Sequence, residues 1–338
     1  MQYCLHDYTD MNVFVHAWFR SGSTWLWEKF RTQENFIAYY EPLQEDLPNW
    51  TPERIRAGHV VAFPEANHPD LDRSYYYEYL QLVESGRLAY KPSLAYERYF
   101  LSEHETDPIL ENYIFGLLEH AQHQNRCAAL CFCRSAMRSQ WLKSKFRGIH
   151  IAQIRNPLSQ WTSFQKNRYF LNRTLITALS LEKKCPGVMS PIDAFNDLHT
   201  GWIKGDRIRF TDEQCLQTFL CIWIYSAAQS VAASDIIIDI DLVGSSVGAL
   251  QLVCEKLDKF NLSVNIDDCA APDYDRSNAH SGKFETQLQK VIGRISENDR
   301  CRPLIAGLQT AGTKYEYLHD TSANILRSLE SQTGNFGR

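Results

Sequence analysis

The residues best suited to chemistry follow an apolar run near the start of the chain, in the order Arg20, Ser21, Gly22, Ser23, Thr24 and Trp25. Gly22 can adopt a positive φ, so that successive backbone N–H groups from Ser21 to Trp25 turn toward one point. A helix that begins near Thr24 would add its N–H groups and its positive dipole end. Arg20 supplies a permanent cation. The stretch therefore indicates either an anion site or an ordinary strand–turn–helix junction capped by serine.

A second set of polar residues favours the anion site. Arg155 ends an apolar run, and the Asn156 and Pro157 that follow it are typical of the N-cap and first residue of a helix. Ser163 comes almost two helical turns after Asn156 and so returns to the same helix face. Arg155 and Ser163 can then converge on one phosphate, through a guanidinium fork and a hydroxyl. Two such sites predict one ligand with two separated phosphate-like ends.

The elements that must position these residues are short apolar runs bounded by turn residues, as in buried parallel strands. We expect strands at 12–19, 36–40, 128–133, 149–154 and 235–241. Helical patterns occur at 25–31, 137–146, 158–170, 213–233 and 247–260. Strands that alternate with helices predict βαβ units, and hence an α/β fold with helices on both faces of a central parallel sheet of about five strands.

Four polar residues each end or directly follow a predicted strand. They are Arg20, Glu41, Arg134 and Arg155. Ligands of doubly wound sheets bind beyond the carboxyl ends of the strands, so we expect these four side chains at one rim of the sheet. We also expect the strand that ends at Glu41 to lie next to the strand that leads to Arg20.

Two segments are longer than strand–helix connections require. The segment 51–123 is mostly helical in pattern, and the segment 172–212 is expected to be irregular. Both are predicted to be insertions over the rim, the second on the acceptor side, within a single domain that covers 1–338. The first contains a run of tyrosines: Tyr75, Tyr76, Tyr77, Tyr79, Tyr90, Tyr96 and Tyr99.

Charge is distributed unevenly along the chain. The whole sequence has a formal net charge of -5, which argues against general nucleic-acid affinity. The block 120–181 nevertheless contains ten Arg or Lys residues and no Asp or Glu. Such a block is typical of a basic surface or of a focused site for a polyanion.

The ten cysteines form no CxxC pairs and no regular framework, which favours reduced thiols and a cytoplasmic location. Cys127, Cys131 and Cys133 lie near two histidines, but their apolar surroundings favour a buried strand over a zinc site. The N-terminus lacks the pattern of a signal peptide. The most apolar helical segment, 219–233, is expected to be too short and interrupted to span a membrane.

The two anion motifs resemble those of sulfotransferases that use 3′-phosphoadenosine 5′-phosphosulfate (PAPS). The 5′-phosphosulfate loop of that family commonly has the pattern [KR]-S-G-[ST]-T-W, which is similar to residues 20–25. Its 3′-phosphate motif has the pattern R-[ND]-P with a serine eight residues after the arginine, as at Arg155 and Ser163. Tyr40-Glu41-Pro42-Leu43 is similar to a Glu-Pro-Leu sequence of the carbohydrate sulfotransferases.

The resemblance implies a P-loop NTPase-like three-layer fold and a role for each matched residue. The backbone and hydroxyls of Ser21, Gly22, Ser23 and Thr24 would bind the 5′-phosphosulfate. Arg20 would neutralise charge on the bridging oxygen, and Trp25 would stack near the adenine. Arg155 and Ser163 would bind the 3′-phosphate. No metal is required, because the sequence lacks the Lys-[Ser/Thr] pair that positions Mg²⁺ in kinases.

Transfer to an acceptor hydroxyl also needs a base. Glu41 is our candidate, because Pro42 forces it out of helical geometry at a strand end; a glutamate in a surface turn is the other interpretation. The histidine motif of the phenol and steroid sulfotransferases is not matched, and His16 is expected to be a core residue. The closing loop of cytosolic members is matched only vaguely, by Arg276 and the residues 281–283.

The acceptor is the least determined part of this prediction. The Glu-Pro-Leu sequence and the tyrosines favour a saccharide or glycoconjugate, although clustered tyrosines more often pack in a core. Two other functions are compatible with the same loops. One is a P-loop nucleotide kinase that uses ATP and magnesium, and the other is a non-catalytic nucleotide-binding protein.

Overall fold

The computed structural model describes residues 11–58, 71–203, 210–270 and 281–334. Five strands form one sheet: Val13–His16 (β1), Phe36–Tyr40 (β2), Cys127–Phe132 (β3), Ile149–Ile154 (β4) and Ile236–Asp239 (β5). The strand order is β2-β3-β1-β4-β5, and every neighbouring pair is parallel. The predicted α/β fold with a five-stranded parallel sheet is confirmed.

The helices that follow the early strands are Ser23–Arg31 (α1), Pro52–Arg56 (α2), Leu80–Glu84 (α3), Ser93–Tyr96 (α4), Pro108–His123 (α5), Ser139–Lys145 (α6), Pro157–Gln165 (α7) and Arg168–Lys184 (α8). The later helices are Phe195–Ile203 (α9), Asp212–Ala233 (α10), Ile240–Val243 (α11), Val247–Lys259 (α12), Ser281–Glu297 (α13), Arg302–Ile305 (α14) and Asp320–Gly334 (α15). Short 3₁₀ turns lie at Leu47–Asn49, Tyr77–Tyr79, Ala136–Arg138, Asp299–Cys301, Ala306–Thr310 and Gly312–Tyr317.

Alternate residues of the central strands pack on opposite faces of the sheet, which produces three layers. Ile149 and Ile151 of β4 join one buried cluster together with residues of α1, α5 and α12. Ala152 and Ile154 join a second cluster, built around α10. Because both faces are covered by helices, most strand residues are apolar, and this is why the strands appear in the sequence as nearly continuous apolar runs.

The predicted neighbour of β2 is wrong. Strand β2, which ends just before Glu41, pairs with β3, and β3 pairs with β1. One full strand therefore separates Glu41 from the strand that leads to Arg20. The chain leaves β1 toward β2 on one side of the sheet and later crosses to β4 and β5 on the other. The carboxyl ends of β1 and β4 consequently form the topological switch point, where α/β proteins bind ligands.

Two expectations for the helices also need correction. The helix expected at 158–170 is two helices, α7 and α8, because Asn167 takes an N-cap conformation and its side chain accepts a hydrogen bond from the Tyr169 N–H (2.8 Å). The segment 172–212 is largely helical where it is described, since it contains most of α8 and the whole of α9, and the expected irregular structure is found at 185–194 between them.

The core helix α10 agrees with the helix expected at 213–233 and is longer than the apolar segment 219–233. By length and composition it would pass as a membrane span, which corrects the expectation that it is too short. However, 89% of its most apolar window is buried inside the protein. A central helix that packs on all sides has this composition, so the finding is weak evidence for a membrane segment.

Most of the tyrosines in the first insertion belong to the core. Tyr75, Tyr76, Tyr79 and Tyr99 are at most 3% exposed, whereas Tyr77 is 37% exposed. Rings of Tyr75 and Tyr76 pack against Tyr40 at the end of β2. These tyrosines stabilise the insertion against the sheet, and as a group they do not form an exposed platform for sugar rings.

Candidate functional site

The loop between β1 and α1 (residues 17–22, the glycine loop) has an unusual backbone. Arg20 has φ 65° although it is not a glycine, and Gly22, the N-cap of α1, has φ 84°. Non-glycine residues rarely adopt a positive φ, and those that do concentrate at functional sites. The loop therefore reverses direction within a few residues before α1 begins at Ser23.

Gly22 is required here for two reasons. Its positive φ is costly for residues with a side chain. In addition, a Cβ at this position would lie 3.0 Å from Cδ1 of Ile240 and 3.3 Å from Nε2 of Gln153. The loop backbone thus approaches the ends of β4 and β5 closely, and α1 starts without a side-chain cap. An N-terminus of this kind presents its first amides and positive dipole end to an anion.

The hydroxyls of the loop make internal hydrogen bonds. The Ser21 hydroxyl donates to the Trp18 carbonyl oxygen (2.7 Å), and the Ser21 amide donates to the same oxygen (3.3 Å). The Ser23 hydroxyl lies 3.0 Å from Sγ of Cys133, and the Thr24 hydroxyl lies 3.1 Å from the hydroxyl of Tyr40. Ser21 is therefore a residue that shapes the turn. The geometry favours an anion site built mainly from backbone N–H groups.

The second predicted cluster lies against the glycine loop. Arg155 Nη1 donates to the carbonyl oxygen of Arg20 (2.8 Å), and Arg20 Nε donates to the hydroxyl of Ser163 (2.9 Å). Arg155 and Ser163 are 5% and 2% exposed. Arg155 and Ser163 thus both contact Arg20, the first at its carbonyl oxygen and the second at its guanidinium. The structure brings together all three residues, which lie up to 143 positions apart in the sequence.

The α7 start has the predicted cap. Asn156 Oδ1 accepts hydrogen bonds from the amides of Leu158 (2.9 Å) and Ser159 (3.4 Å), and Pro157 occupies the first turn. The Asn156 amide itself donates to Asp241 Oδ2 (2.9 Å), and this carboxylate lies 3.8 Å from Arg155 Nε. Burial raises the pKa of Asp241, and the charge of Arg155 offsets part of the rise.

The segment before α15 contacts the same junction. The His319 amide donates to Asp239 Oδ2 (3.0 Å), and its Nδ1 lies 3.2 Å from Nδ2 of Asn156. Burial raises the pKa of Asp239 to about 7. Arg276 of the predicted closing loop lies outside the described residues, and the residues from Ser281 onward begin α13.

Glu41 lies at the same rim but at the far side of β3. Its φ is 42°, which confirms that it leaves helical geometry, and its amide donates to the Cys131 carbonyl oxygen (2.9 Å). Its Oε2 accepts a hydrogen bond from Nη1 of Arg134 (2.7 Å). Arg134 also forms an ion pair with Glu45, and it is 1% exposed. Burial disfavours the charge of this guanidinium, but Tyr96 and the two carboxylates outweigh that effect and raise its pKa.

Arg134 bridges the gap that the extra strand creates. It follows β3, forms an isolated bridge with Trp18 of the glycine loop, and reaches Glu41 on the other side. Glu45 in turn accepts from Tyr169 and pairs with Arg173 Nη2 (2.9 Å) on α8. The rim therefore carries a connected network of charged and phenolic groups next to the predicted base. The four rim residues predicted from strand ends form two contacting pairs, Glu41 with Arg134 and Arg20 with Arg155.

Two histidines that the sequence places in strands form a buried pair. His16 lies between Ser135 Oγ (2.8 Å from Nδ1) and His150 Nδ1 (2.9 Å from Nε2). Burial lowers the pKa of His16, and His150 lowers it further. His16 is 0% exposed, so the expectation of a core histidine is confirmed.

The sequence interpretation missed two features of the site. One is the ion pair of Arg134 with both Glu41 and Glu45. The other is Gln153, a fully buried amide on β4 next to Gly22. A polar residue inside an otherwise apolar strand was the available signal for Gln153. For Arg134 no local signal existed, because its partners lie about 90 residues earlier in the chain.

Comparisons of the chain with models of known protein families, with curated proteins and with solved structures found no match. The architecture alone defines the class of this protein. It is an α/β protein with a five-stranded, all-parallel sheet flanked by helices, and its candidate site lies at the switch point between β1 and β4.

Proposed function

We propose that this protein transfers a sulfuryl group from PAPS to an acceptor hydroxyl, with a saccharide or glycoconjugate as the acceptor. The observation that supports the proposal is the contact between the two anion motifs, residues 20–25 and residues 155–163. The Arg155 guanidinium lies 2.8 Å from the carbonyl oxygen of Arg20, and Arg20 lies 2.9 Å from Ser163. A single nucleotide with a 5′ and a 3′ anionic group would then contact both strand-to-helix junctions.

The N-terminus of α1 would bind the 5′-phosphosulfate through the backbone N–H groups that begin at Gly22. Arg155 and Ser163 would bind the 3′-phosphate, and Arg20 lies between the two ends. Trp25, whose Nε1 donates to Asp268 (3.1 Å), is held at the first turn of α1 where the adenine would stack. The proposal assigns no step to a metal ion, because fixed dipoles and arginines supply the positive charge.

In the transfer step, the acceptor oxygen forms a bond to sulfur while the bond from sulfur to the bridging oxygen breaks. The electron pair of that bond leaves with 3′-phosphoadenosine 5′-phosphate, whose developing charge Arg20 would neutralise. The proton of the acceptor hydroxyl passes to the carboxylate of Glu41. Arg134 holds this carboxylate in one orientation through Nη1 (2.7 Å). A base fixed in this way would lose little conformational freedom when an acceptor hydroxyl binds beside it.

The experiment that tests this function compares ligands by thermal shift. We expect 3′-phosphoadenosine 5′-phosphate to raise the melting temperature more than Mg-ATP at equal concentration, because binding to the folded state alone stabilises it. A larger shift with Mg-ATP would instead indicate a kinase. Binding of the bisphosphate without transfer of radiolabelled sulfate to any acceptor in a saccharide, phenol and peptide screen would indicate a non-catalytic binding protein.

Arg155 gives a sharper test of the nucleotide site. Charge-assisted hydrogen bonds contribute about 1.5–3 kcal/mol each, so Arg155→Ala should weaken binding of 3′-phosphoadenosine 5′-phosphate at least tenfold by calorimetry. The loss should be much smaller for adenosine 5′-phosphate, which lacks the group that Arg155 would bind. Equal losses for both ligands would show that the variant damages the glycine loop through the lost contact with Arg20, and unchanged affinity would remove the assignment.

A further inference from the structure

The side chain of Gln153 is buried without a hydrogen-bond partner. Gln153 is the penultimate residue of β4 and is 1% exposed. Neither Oε1 nor Nε2 has a partner within the described part of the chain. Burial of an amide without partners is costly, and native structures rarely tolerate it without a functional or solvent partner. An apolar residue of similar size would avoid this cost, as it does at Ile149 and Ile151 on the same face of the strand.

The position of this amide connects it to the candidate anion site. A Cβ at Gly22 would lie 3.3 Å from Gln153 Nε2, so the amide nitrogen approaches the N-cap of α1. Gly22 begins a helix of nine residues that has no side-chain cap. The same strand continues into Arg155, which contacts the glycine loop. An unsatisfied donor and the N-terminus of a helix thus meet at one point of the sheet rim.

We propose that Gln153 is an additional nucleotide-binding residue that donates a hydrogen bond from Nε2 to the 5′-phosphoryl group held at the N-terminus of α1. This inference rests on the proposed function for the identity of the nucleotide. A neutral amide adds a directional donor to the positive charge of Arg20 and Arg155. Its Oε1 can only accept hydrogen bonds, so the amide would present Nε2 rather than Oε1 to the anion.

Water is the alternative partner for this amide. If water alone satisfies Nε2, replacement of Gln153 will leave nucleotide binding unchanged. If the bound phosphoryl group accepts from Nε2, the same replacement will weaken the binding of ligands that carry a 5′-phosphoryl group.

The test uses Gln153→Met, which keeps the length of the side chain and removes both polar ends. Binding of three ligands to the full chain is measured by calorimetry: 3′-phosphoadenosine 5′-phosphate, adenosine 5′-phosphate and adenosine 3′-phosphate. We expect about tenfold weaker binding of the first two and less than a twofold change for the third, which lacks the 5′-phosphoryl group. No change for any ligand, or equal losses for all three, would overturn the role of Gln153.

The melting temperature distinguishes a nucleotide-binding role of Gln153 from a structural one, because the two roles predict opposite shifts when the residue is replaced. Gln153→Met should melt at the same temperature as the parent protein or higher, because it removes unsatisfied polar groups from the interior. Gln160→Met is the matched control. Gln160 is equally buried, but its Nε2 donates to the Phe19 carbonyl oxygen (2.6 Å), so its loss should lower the melting temperature. A large drop for Gln153→Met would contradict the proposal.

A second variant and a second ligand complete the test. Gln153→Asn is the second variant, since the shorter amide withdraws the donor by one methylene and should produce the same ligand pattern. If the parent protein binds no adenine nucleotide, the proposed function fails, and inorganic pyrophosphate tests Gln153 alone. Tenfold weaker binding of pyrophosphate by the variant would support the assignment. No binding of pyrophosphate by the parent protein, or equal binding by both, would overturn it.

Discussion

Two non-glycine residues with a positive φ lie at the candidate site, one on each side of β3. Arg20 (φ 65°) and Glu41 (φ 42°) are both residues with long side chains, for which this conformation is costly. Each is held in place by neighbours from other elements, Ser163 and Arg155 for Arg20 and Arg134 for Glu41. Backbone strain that neighbouring residues maintain in this way is typical of functional sites, where the orientation of a side chain matters more than its effect on stability.

Glu41→Gln tests the base directly. The amide keeps the shape of the side chain and an acceptor for Arg134, but it cannot take a proton from an acceptor hydroxyl. We expect turnover to fall at least a hundredfold, in the range of general-base losses, while affinity for 3′-phosphoadenosine 5′-phosphate changes less than twofold. Steady-state kinetics with radiolabelled donor and calorimetry give the two values.

The control for this variant is Glu97→Gln, which makes the same chemical change at an exposed position. It should retain the turnover of the parent protein. Full activity of Glu41→Gln would move the role of base to another group. A joint loss of turnover and nucleotide affinity would show that Glu41 acts through the fold of the rim rather than as a base.

At the scale of elements, the ends of β4 and β5 are joined to each other and to the C-terminal part of the chain by carboxylates. Asp239, the last residue of β5, accepts hydrogen bonds from the amides of Asp241 (3.2 Å), Leu242 (3.3 Å) and His319 (3.0 Å). Burial, with a further contribution from the charge of Asp241, outweighs these hydrogen bonds and raises the pKa of Asp239 to about 7.

This shift predicts a pH dependence with a definite sign. The folded pKa lies above the unfolded value near 4, so the folded protein retains a proton that the unfolded chain releases, and this stabilisation is lost as the pH rises toward 7. The free energy of unfolding of the parent protein, relative to Asp239→Asn, should fall by roughly 2–3 kcal/mol between pH 5 and pH 8. Urea denaturation of both proteins across this range measures the difference.

Asp258→Asn serves as the control, because Asp258 is exposed. Its difference from the parent protein should stay constant over the same pH range. A difference for Asp239→Asn that is constant with pH, or that rises with pH, would show that Asp239 is ionised in the folded protein throughout.

At the scale of the whole molecule, helix α10 supports the site from the core. Phe219 of α10 lies 5.1 Å from the ring of Trp18, 5.2 Å from Trp161 and 5.0 Å from Phe164, measured between ring centroids. Trp18 belongs to the glycine loop, and the other two rings belong to α7, which carries Ser163. One aromatic cluster therefore fixes both anion motifs relative to each other.

Phe219→Ala should destabilise the protein by about 3–5 kcal/mol, because it opens a cavity in a fully buried cluster. Phe115→Ala is the matched control, since Phe115 is 59% exposed on α5, and its cost should remain within about 0.5 kcal/mol. Denaturant unfolding measures both. Similar costs for the two variants would contradict the central position of Phe219.

The local structure of this protein could be predicted from the sequence. The strand runs, the Asn156 cap and the turn at Gly22 depend on residues close to one another in the chain, whose propensities and periodicity act over a few positions. The placement of Arg20, Glu41, Arg134 and Arg155 at one rim followed as well, because parallel strands share the direction of their carboxyl ends.

Only the tertiary structure decided which strands are neighbours and which charges meet. Strand order depends on the packing of helices between distant segments, and thus β3 lies between β1 and β2 although it follows them by about 90 residues. The same packing pairs Arg134 with Glu41, brings Arg20 to Ser163 and places the unsatisfied amide of Gln153 against Gly22. No local pattern encodes these contacts, because their energies arise from burial and charge between parts of the chain that meet only on folding.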